Sequence, residues 1–261
     1  MEITDIIKDS FKYPFSDNKQ FALIFLVFVV LGLFVGLSFA LPVISTNLNF
    51  SVPVALLVSV VLLVLSLIVA VLICGYQIDI IEVACDLEDN VPSFSPTSNI
   101  KKGLFLILIY IVFYVISNII STVLFLLGFG FLALGDVIGT SLFIIVCIIM
   151  FIISVLISWV LSMSICRLAY YDSIGEALNL KEAYNDLKTI GFANMLIYVL
   201  VLAIIMCVII IAVVAVVALI SSIANSIAVI IAVLILFALA SYLFVVQSRA
   251  IGLLYSQVIY D

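Results

Sequence analysis

The chain contains no histidine, and no Asp, Glu, Lys or Arg interrupts any of its long apolar runs. Without an imidazole, its Ser and Cys residues lack the usual base that would activate them as nucleophiles. Paired carboxylates at depth and a phosphate-cradling glycine loop are missing as well, so the sequence supports no enzyme, metal or cofactor reading. Carriers coupled to ions or protons usually place an ionisable group within a span, and none is found here. Basic residues number only nine and never form the cluster of four to eight that recruits anionic lipid headgroups, nor a nucleic-acid footprint. The five cysteines, Cys74, Cys85, Cys147, Cys166 and Cys207, are odd in number and lack C-x-x-C spacing, so they read as free thiols behaving as small apolar residues.

What is present is hydrocarbon. Of the 261 residues, 68% are hydrophobic and 9% charged, whereas a soluble domain is about half apolar. Six runs, 21–41, 53–78, 104–127, 137–165, 192–220 and 223–246, each exceed the roughly 17 residues needed to cross a bilayer core. Residues 196–246 carry no charge, and apart from Ser241 their polar residues are Ser221, Ser222, Asn225 and Ser226, which leaves enough for two spans and forces a helical hairpin. Each central Leu, Ile, Phe or Val contributes roughly −0.3 to −0.6 kcal/mol to insertion, and no charge opposes it. The first run is too long for a signal peptide and reads as a retained span.

The basic residues fall only in alternate gaps. Lys8, Lys12 and Lys19 precede the first run, Lys101 and Lys102 lie between the second and third, Arg167, Lys181 and Lys188 between the fourth and fifth, and Arg249 follows the sixth. Cations stay cytoplasmic, so both termini are expected on the cytoplasmic side of a cell membrane. Every carboxylate except Asp136 shares that side, and the formal net charge is −6.

Outside the spans, Ile3, Ile6, Ile7 and Phe11 recur at helical spacing opposite Glu2, Asp5, Lys8, Asp9 and Lys12. This predicts a short amphipathic helix on the membrane surface that ends at Tyr13-Pro14, with Ser16-Asp17 capping the next. A second such helix is expected over 180–190, with Leu180, Ala183, Tyr184, Leu187 and Ile190 facing the membrane and Lys181, Glu182, Asn185, Asp186 and Lys188 facing water. Pro92, Phe94 and Pro96 mark a loop, with Thr97-Ser98-Asn99 expected to cap the following helix. Residues 128–140, rich in glycine around Asp136, read as an outer-surface helix or a dip into the outer leaflet. The fold class is therefore all-α and polytopic, a single transmembrane domain over 1–261. Its plan of span, turn and span recurs in units 1–90, 91–180 and 181–261. Two-span units begin and end on one side, so the copies must be parallel, giving a pseudo-threefold bundle of three hairpins about the membrane normal.

Candidate contact residues are few. Asn118, with Ser117, Ser121 and Thr122, is the most polar stretch within a span; it reads either as interhelical glue or as the wall of a polar cavity. Arg167 and Arg249 end equivalent spans, as snorkelling anchors or as sites for an anionic lipid or substrate group. Asp79, Glu82, Asp86, Glu88 and Asp89, like Asp172 and Glu176, read as solvated helix ends rather than a cation shell. Asn49-Phe50-Ser51 is a glycosylation sequon in an outer loop. Gly32 and Gly36 form a G-x-x-x-G close-packing signal in the first span.

Taken in order, Lys12-Tyr13-Pro14-Phe15-Ser16-Asp17, Gly75-Tyr76, Val91-Pro92-Ser93-Phe94, residues 173–191 (SIGEALNLKEAYNDLKTIG) and residues 249–255 (RAIGLLY) resemble the archaeal membrane-protein family known as domain of unknown function 4013. The likeness covers nearly the whole chain. One departure is that this chain has Gln77 and Asp79 where the family often has a basic residue soon after Gly-Tyr. The resemblance implies an archaeal cell membrane and carries over no substrate or catalytic residue. The reading is a non-enzymatic membrane component that organises membrane lipids or partner membrane proteins through its cytoplasmic helices. The alternatives are a passive or substrate-gated transporter of a small neutral or amphipathic molecule, and a lipid-modifying enzyme in which Arg167, Arg249 and a carboxylate such as Asp172 converge.

Overall fold

The computed structural model describes residues 2–47, 51–133, 135, 137–223 and 226–260. Among these, nine α-helices follow one another: α1 (Ile3–Lys12), α2 (Asn18–Asn47), α3 (Val52–Cys85), α4 (Pro96–Leu132), α5 (Val137–Tyr171), α6 (Ile174–Ala177), α7 (Leu180–Ile190), α8 (Phe192–Ile223) and α9 (Ser226–Tyr260), with a 3-10 turn at Tyr13–Phe15 between the first two. Six of them, α2 to α5, α8 and α9, are long and apolar enough to cross a membrane. The sequon residues Asn49 and Phe50, and the outer carboxylate Asp136, lie outside the described residues.

The six helices outlast the runs that announced them. At 1.5 Å per residue, 34-residue α3 is about 50 Å long against a hydrocarbon core of about 30 Å. The surplus lies at the charged end, where α3, α5 and α9 run on past their last apolar turn to Cys85, Tyr171 and Tyr260. At the opposite end α4 and α5 continue almost to each other, with Ala133 closing α4 and Gly135 at φ +71 in the turn. Among the described residues, 128–132 complete α4 and 137–140 begin α5, so no separate outer helix forms there, and Gly128, Gly130 and Gly139 lie inside helices.

Helix α3 is the hub, packing against α2, α4, α5 and α9. Missing side chains make that possible. A methyl group built on Gly75 would overlap the Asn99 carbonyl of α4, one on Gly103 would overlap the Val71 carbonyl, and Gly252 of α9 lies against Ala84 and Ile81. Small residues let helix backbones meet where lipid offers no hydrophobic drive. The G-x-x-x-G expectation for α2 holds at one position only: Gly32 faces the Phe237 ring, whereas Gly36 meets nothing within 4 Å.

The second spans of the three hairpins, α3, α5 and α9, touch one another, and the first spans lie outside them. Helix α2 seats against both α3 and α9, and α4 against both α3 and α5. Helix α8 packs on α9 but makes at most a marginal approach to α5, leaving one sector open.

Asp17 caps α2 as expected, its Oδ1 accepting from the Lys19 and Gln20 amides at 2.9 and 3.1 Å. The cap of α4 differs from expectation: Pro96 opens the helix after Ser95, and Thr97, Ser98 and Asn99 form its first turn, with Asn99 buried against Gly75. Helices α1 and α7 form where predicted, but much of their apolar faces rests on protein, with Leu180 and Tyr184 of α7 left exposed. Ile6 and Ile7 are buried near α9, and Ala183, Leu187 and Ile190 are buried where α7 meets α5, α8 and α9.

Gly75→Ala is predicted to lower stability by on the order of 1–3 kcal/mol through overpacking against α4, while Gly36→Ala is neutral or slightly stabilising because open space and helix propensity favour it. Thermal unfolding of the two variants in detergent checks this, and equal midpoints contradict the close-packing account.

Candidate functional site

Two buried arginines and a half-buried lysine organise the charged end. Arg249 of α9 is 1% exposed. Its Nε donates to Asp9 Oδ2 of α1 at 3.0 Å, one terminal nitrogen to Asp89 Oδ1 at 3.2 Å, and the other to the Glu88 carbonyl. Its guanidinium lies 4.4 Å over the Tyr13 ring. The loop after α3 reaches it because Leu87 adopts a left-handed φ of +57°, turning the chain toward α9. Tyr13 donates to the Asn90 carbonyl at 2.9 Å, and Tyr242 donates to the Phe11 carbonyl at 3.0 Å. Burial pushes the Tyr13 phenol up to about 12 even though Arg249 pulls the other way, so it remains a neutral donor.

Arg167 of α5 is 5% exposed and holds the segment that follows. Its Nε donates to the Glu176 carbonyl at 3.0 Å, and its terminal nitrogens reach Glu176 Oε2 at 2.7 Å and Asp186 Oδ2 at 3.0 Å. Tyr255 of α9 donates to the same Asp186 oxygen at 3.0 Å. Asp186, expected to face water, is therefore turned inward, where one carboxylate joins α5, α7 and α9. The third cation, Lys102 at the start of α4, binds Asp79 at 2.6 Å and also Glu82, both on α3.

Neither arginine snorkels freely. Each has a protein oxygen on all three guanidinium nitrogens, and the two share no partner. Asp172 lies apart from both, in an exposed pair with Lys101 at 3.5 Å. The convergence of Arg167, Arg249 and Asp172 that a lipid-modifying site needs is thus not made. Among the described residues no group of three or more metal-ligating side chains could hold a metal ion.

Asn118 is also not where a cavity lies. It is exposed on α4, and its amide donates to the Tyr114 carbonyl one turn back at 2.8 Å. The cavity is in the open sector instead. A half-open cleft of about 510 Å³ has α5 on one side and α8 and α9 on the other, with α3 behind and Tyr110 of α4 reaching in. Ser158, Trp159 and Ser162 come from α5, Tyr198, Leu202 and Met206 from α8, Gln77 from α3 and Gln247 from α9. No charged residue lines it. Ser162 returns its hydroxyl to the Ser158 carbonyl at 3.0 Å. The side chains of Gln77, Gln247 and Tyr198 have no hydrogen-bond partner among the described residues, although Tyr198 is only 3% exposed. Sequence reasoning passed over all three. The signal it could have used was the pair of glutamines at the same ends of two equivalent spans.

Fold and site define a polytopic α-helical membrane protein with an uncharged cleft among its helices. Residues 57–219 match the family described as a protein of unknown function (DUF4013), and the chain belongs to that family. No curated protein and no solved structure matches it.

The exposures set the order of cost for removing each cation. Arg167→Gln leaves Asp186, 12% exposed, as a buried carboxylate short of its cation, a loss of about 3–5 kcal/mol. Arg249→Gln leaves Asp9 and Asp89 at 35% and 92% exposure, where water replaces the guanidinium, so the loss is nearer the roughly 1.5–3 kcal/mol of a hydrogen bond to a charged group. Lys101→Gln breaks an exposed pair worth about 0–1 kcal/mol. Unfolding midpoints should fall in that order, and a Lys101 variant as damaged as the Arg167 variant contradicts it.

Proposed function

We propose that this protein is a non-enzymatic component of the cell membrane that holds a small amphipathic molecule in the cleft between α5 and α8. In this reading it is a threefold set of hairpins, 1–90, 91–180 and 181–261, with both termini in the cytoplasm as the distribution of Lys and Arg indicates. The observation that carries it is the cleft itself: about 510 Å³, within the range of roughly 300–1,000 Å³ typical of ligand sites, apolar for the most part, and provided with a few polar groups that no protein atom satisfies. Gln77 is half-buried and Gln247 exposed at the charged ends of α3 and α9, so a molecule seated in the cleft meets amides that no protein atom has engaged.

A role in gathering partner proteins through α1 and α7 has less support, because Ile6 and Ile7 of α1 and Ala183, Leu187 and Ile190 of α7 are already buried within the chain, leaving Leu180 and Tyr184 exposed. An enzymatic role on lipid lacks the converging groups described above. Carriage of the bound molecule across the bilayer is the second reading. It draws on α8, which among the spans packs mainly on α9 and is joined to α7 through Gly191 at φ +88.

Purification from native membranes followed by mass spectrometry of bound lipids tests the proposal. The wild type is expected to retain an amphiphile at near-stoichiometric level. Ser162→Phe and Ala203→Phe, which fill the cleft from opposite walls, are expected to lose it while unfolding at similar temperatures. Equal retention by wild type and both variants contradicts the cleft as the site.

A further inference from the structure

We propose that the occupant of the cleft is an uncharged lipid bearing a hydroxyl group, held with its head toward the charged end of the bundle and its chain along α8. The inference rests on the cleft being an amphiphile site and narrows what that amphiphile is.

Charge decides against a phosphate headgroup. No Lys or Arg lines the cleft. The cations that lie close in sequence to its lining are committed elsewhere, Arg249 to Asp9 and Asp89 and Arg167 to Glu176 and Asp186, as is Lys102 to Asp79 and Glu82. An anionic head would thus enter a low-dielectric site with no counter-charge, while the ester or hydroxyl oxygens of a neutral lipid carry no such penalty.

Hydrogen-bonding capacity then points to a head that both donates and accepts. Gln77 and Gln247 each offer an amide NH2 and a carbonyl, and Tyr198 a phenolic hydroxyl, with none of the three engaged by protein. A hydroxyl beside an ester or ether oxygen answers both kinds of group, whereas a plain hydrocarbon answers neither.

The order of residues along the helices sets the orientation. Gln77 and Gln247 lie near the charged ends of α3 and α9. Moving along α8 away from that end, the lining changes from Tyr198 to Val199, Leu202 and Met206, an apolar wall for a chain, while Ser162 and Ser158 stand on the α5 wall with the Ser162 hydroxyl already given to the Ser158 carbonyl. The open side lets the remaining chain stay in the bilayer, so the cleft need enclose only the head and the upper part of one chain.

Trp159 lines the cleft and is the chain's single tryptophan, which makes its fluorescence a reporter of the site. The full-length protein in detergent micelles would be titrated with a diacylglycerol carrying brominated acyl chains, and separately with phosphatidylglycerol carrying the same chains. Saturable quenching by the diacylglycerol is expected, with half-saturation at a mole fraction at least about tenfold lower than for phosphatidylglycerol. The Gln77→Leu/Gln247→Leu double variant is expected to weaken diacylglycerol binding about tenfold. Tyr198→Phe, which keeps the ring and removes only the hydroxyl, gives a second measure if the double variant fails to fold. Its expected loss is about fivefold. Equal affinity for the two lipids, or variants that bind the diacylglycerol as the wild type does, overturns the assignment to a neutral hydroxyl lipid while leaving an amphiphile site in place. Quenching by neither lipid above the level of free mixing overturns both.

Discussion

A charged or unsatisfied polar group cannot be left facing hydrocarbon, and most of this molecule follows from that constraint. It drives all six spans to be free of Asp, Glu, Lys and Arg along their lengths, and it collects the ionic chemistry at one end. There the surplus turns of α3, α5 and α9 create an interior of their own, in which Arg249 and Arg167 are buried and Lys102 is half-buried. A buried cation must be paired, and the two arginines find partners outside the spans, Asp9 and Asp89 for Arg249 and Glu176 and Asp186 for Arg167, while Lys102 pairs with Asp79 and Glu82 of α3. The same pairs that solve the solvation problem thereby pin α1, α7 and the loop after α3 to the bundle.

The apolar part of the bundle is held by shape. Gly75, Gly103 and Gly252 bring α4 and α9 onto α3 at backbone distance, and serines along the spans return their hydroxyls to their own helices, as Ser59 does to the Ala55 carbonyl at 2.8 Å. Where such contact is lacking, between α5 and α8, the structure opens into the cleft. Three polar side chains that no protein atom engages, Gln77, Gln247 and Tyr198, line that cleft, and this is the basis for placing function there. The buried polar atoms without a partner among the described residues, Gln20 Oε1 and Ser164 Oγ, lie outside its lining.

Insertion is a sum over consecutive residues, so the six spans, the hairpin within 196–246 and the amphipathic helices α1 and α7 were legible from the sequence alone. So was the Asp17 cap, which depends on neighbours two and three positions away. Pairings between distant segments were not. Nothing local indicates that Asp9 meets Arg249, or that Asp186, on the polar side of its own helix, turns inward to meet Arg167 and Tyr255. The polar stretch around Asn118 drew attention because hydropathy makes it conspicuous, yet its amide is met by the preceding turn. The cleft is assembled from five helices spread between Gln77 and Ile251, and its existence depends on α8 failing to reach α5, a property of packing that no single segment records.

An experimental density map of the protein in nanodiscs formed directly from its native membrane tests this account most directly. The account predicts α8 standing off α5, with elongated density in the cleft whose head lies within hydrogen-bonding distance of Gln77 and Gln247. A map in which α8 closes onto α5 and these glutamines bond to protein contradicts it.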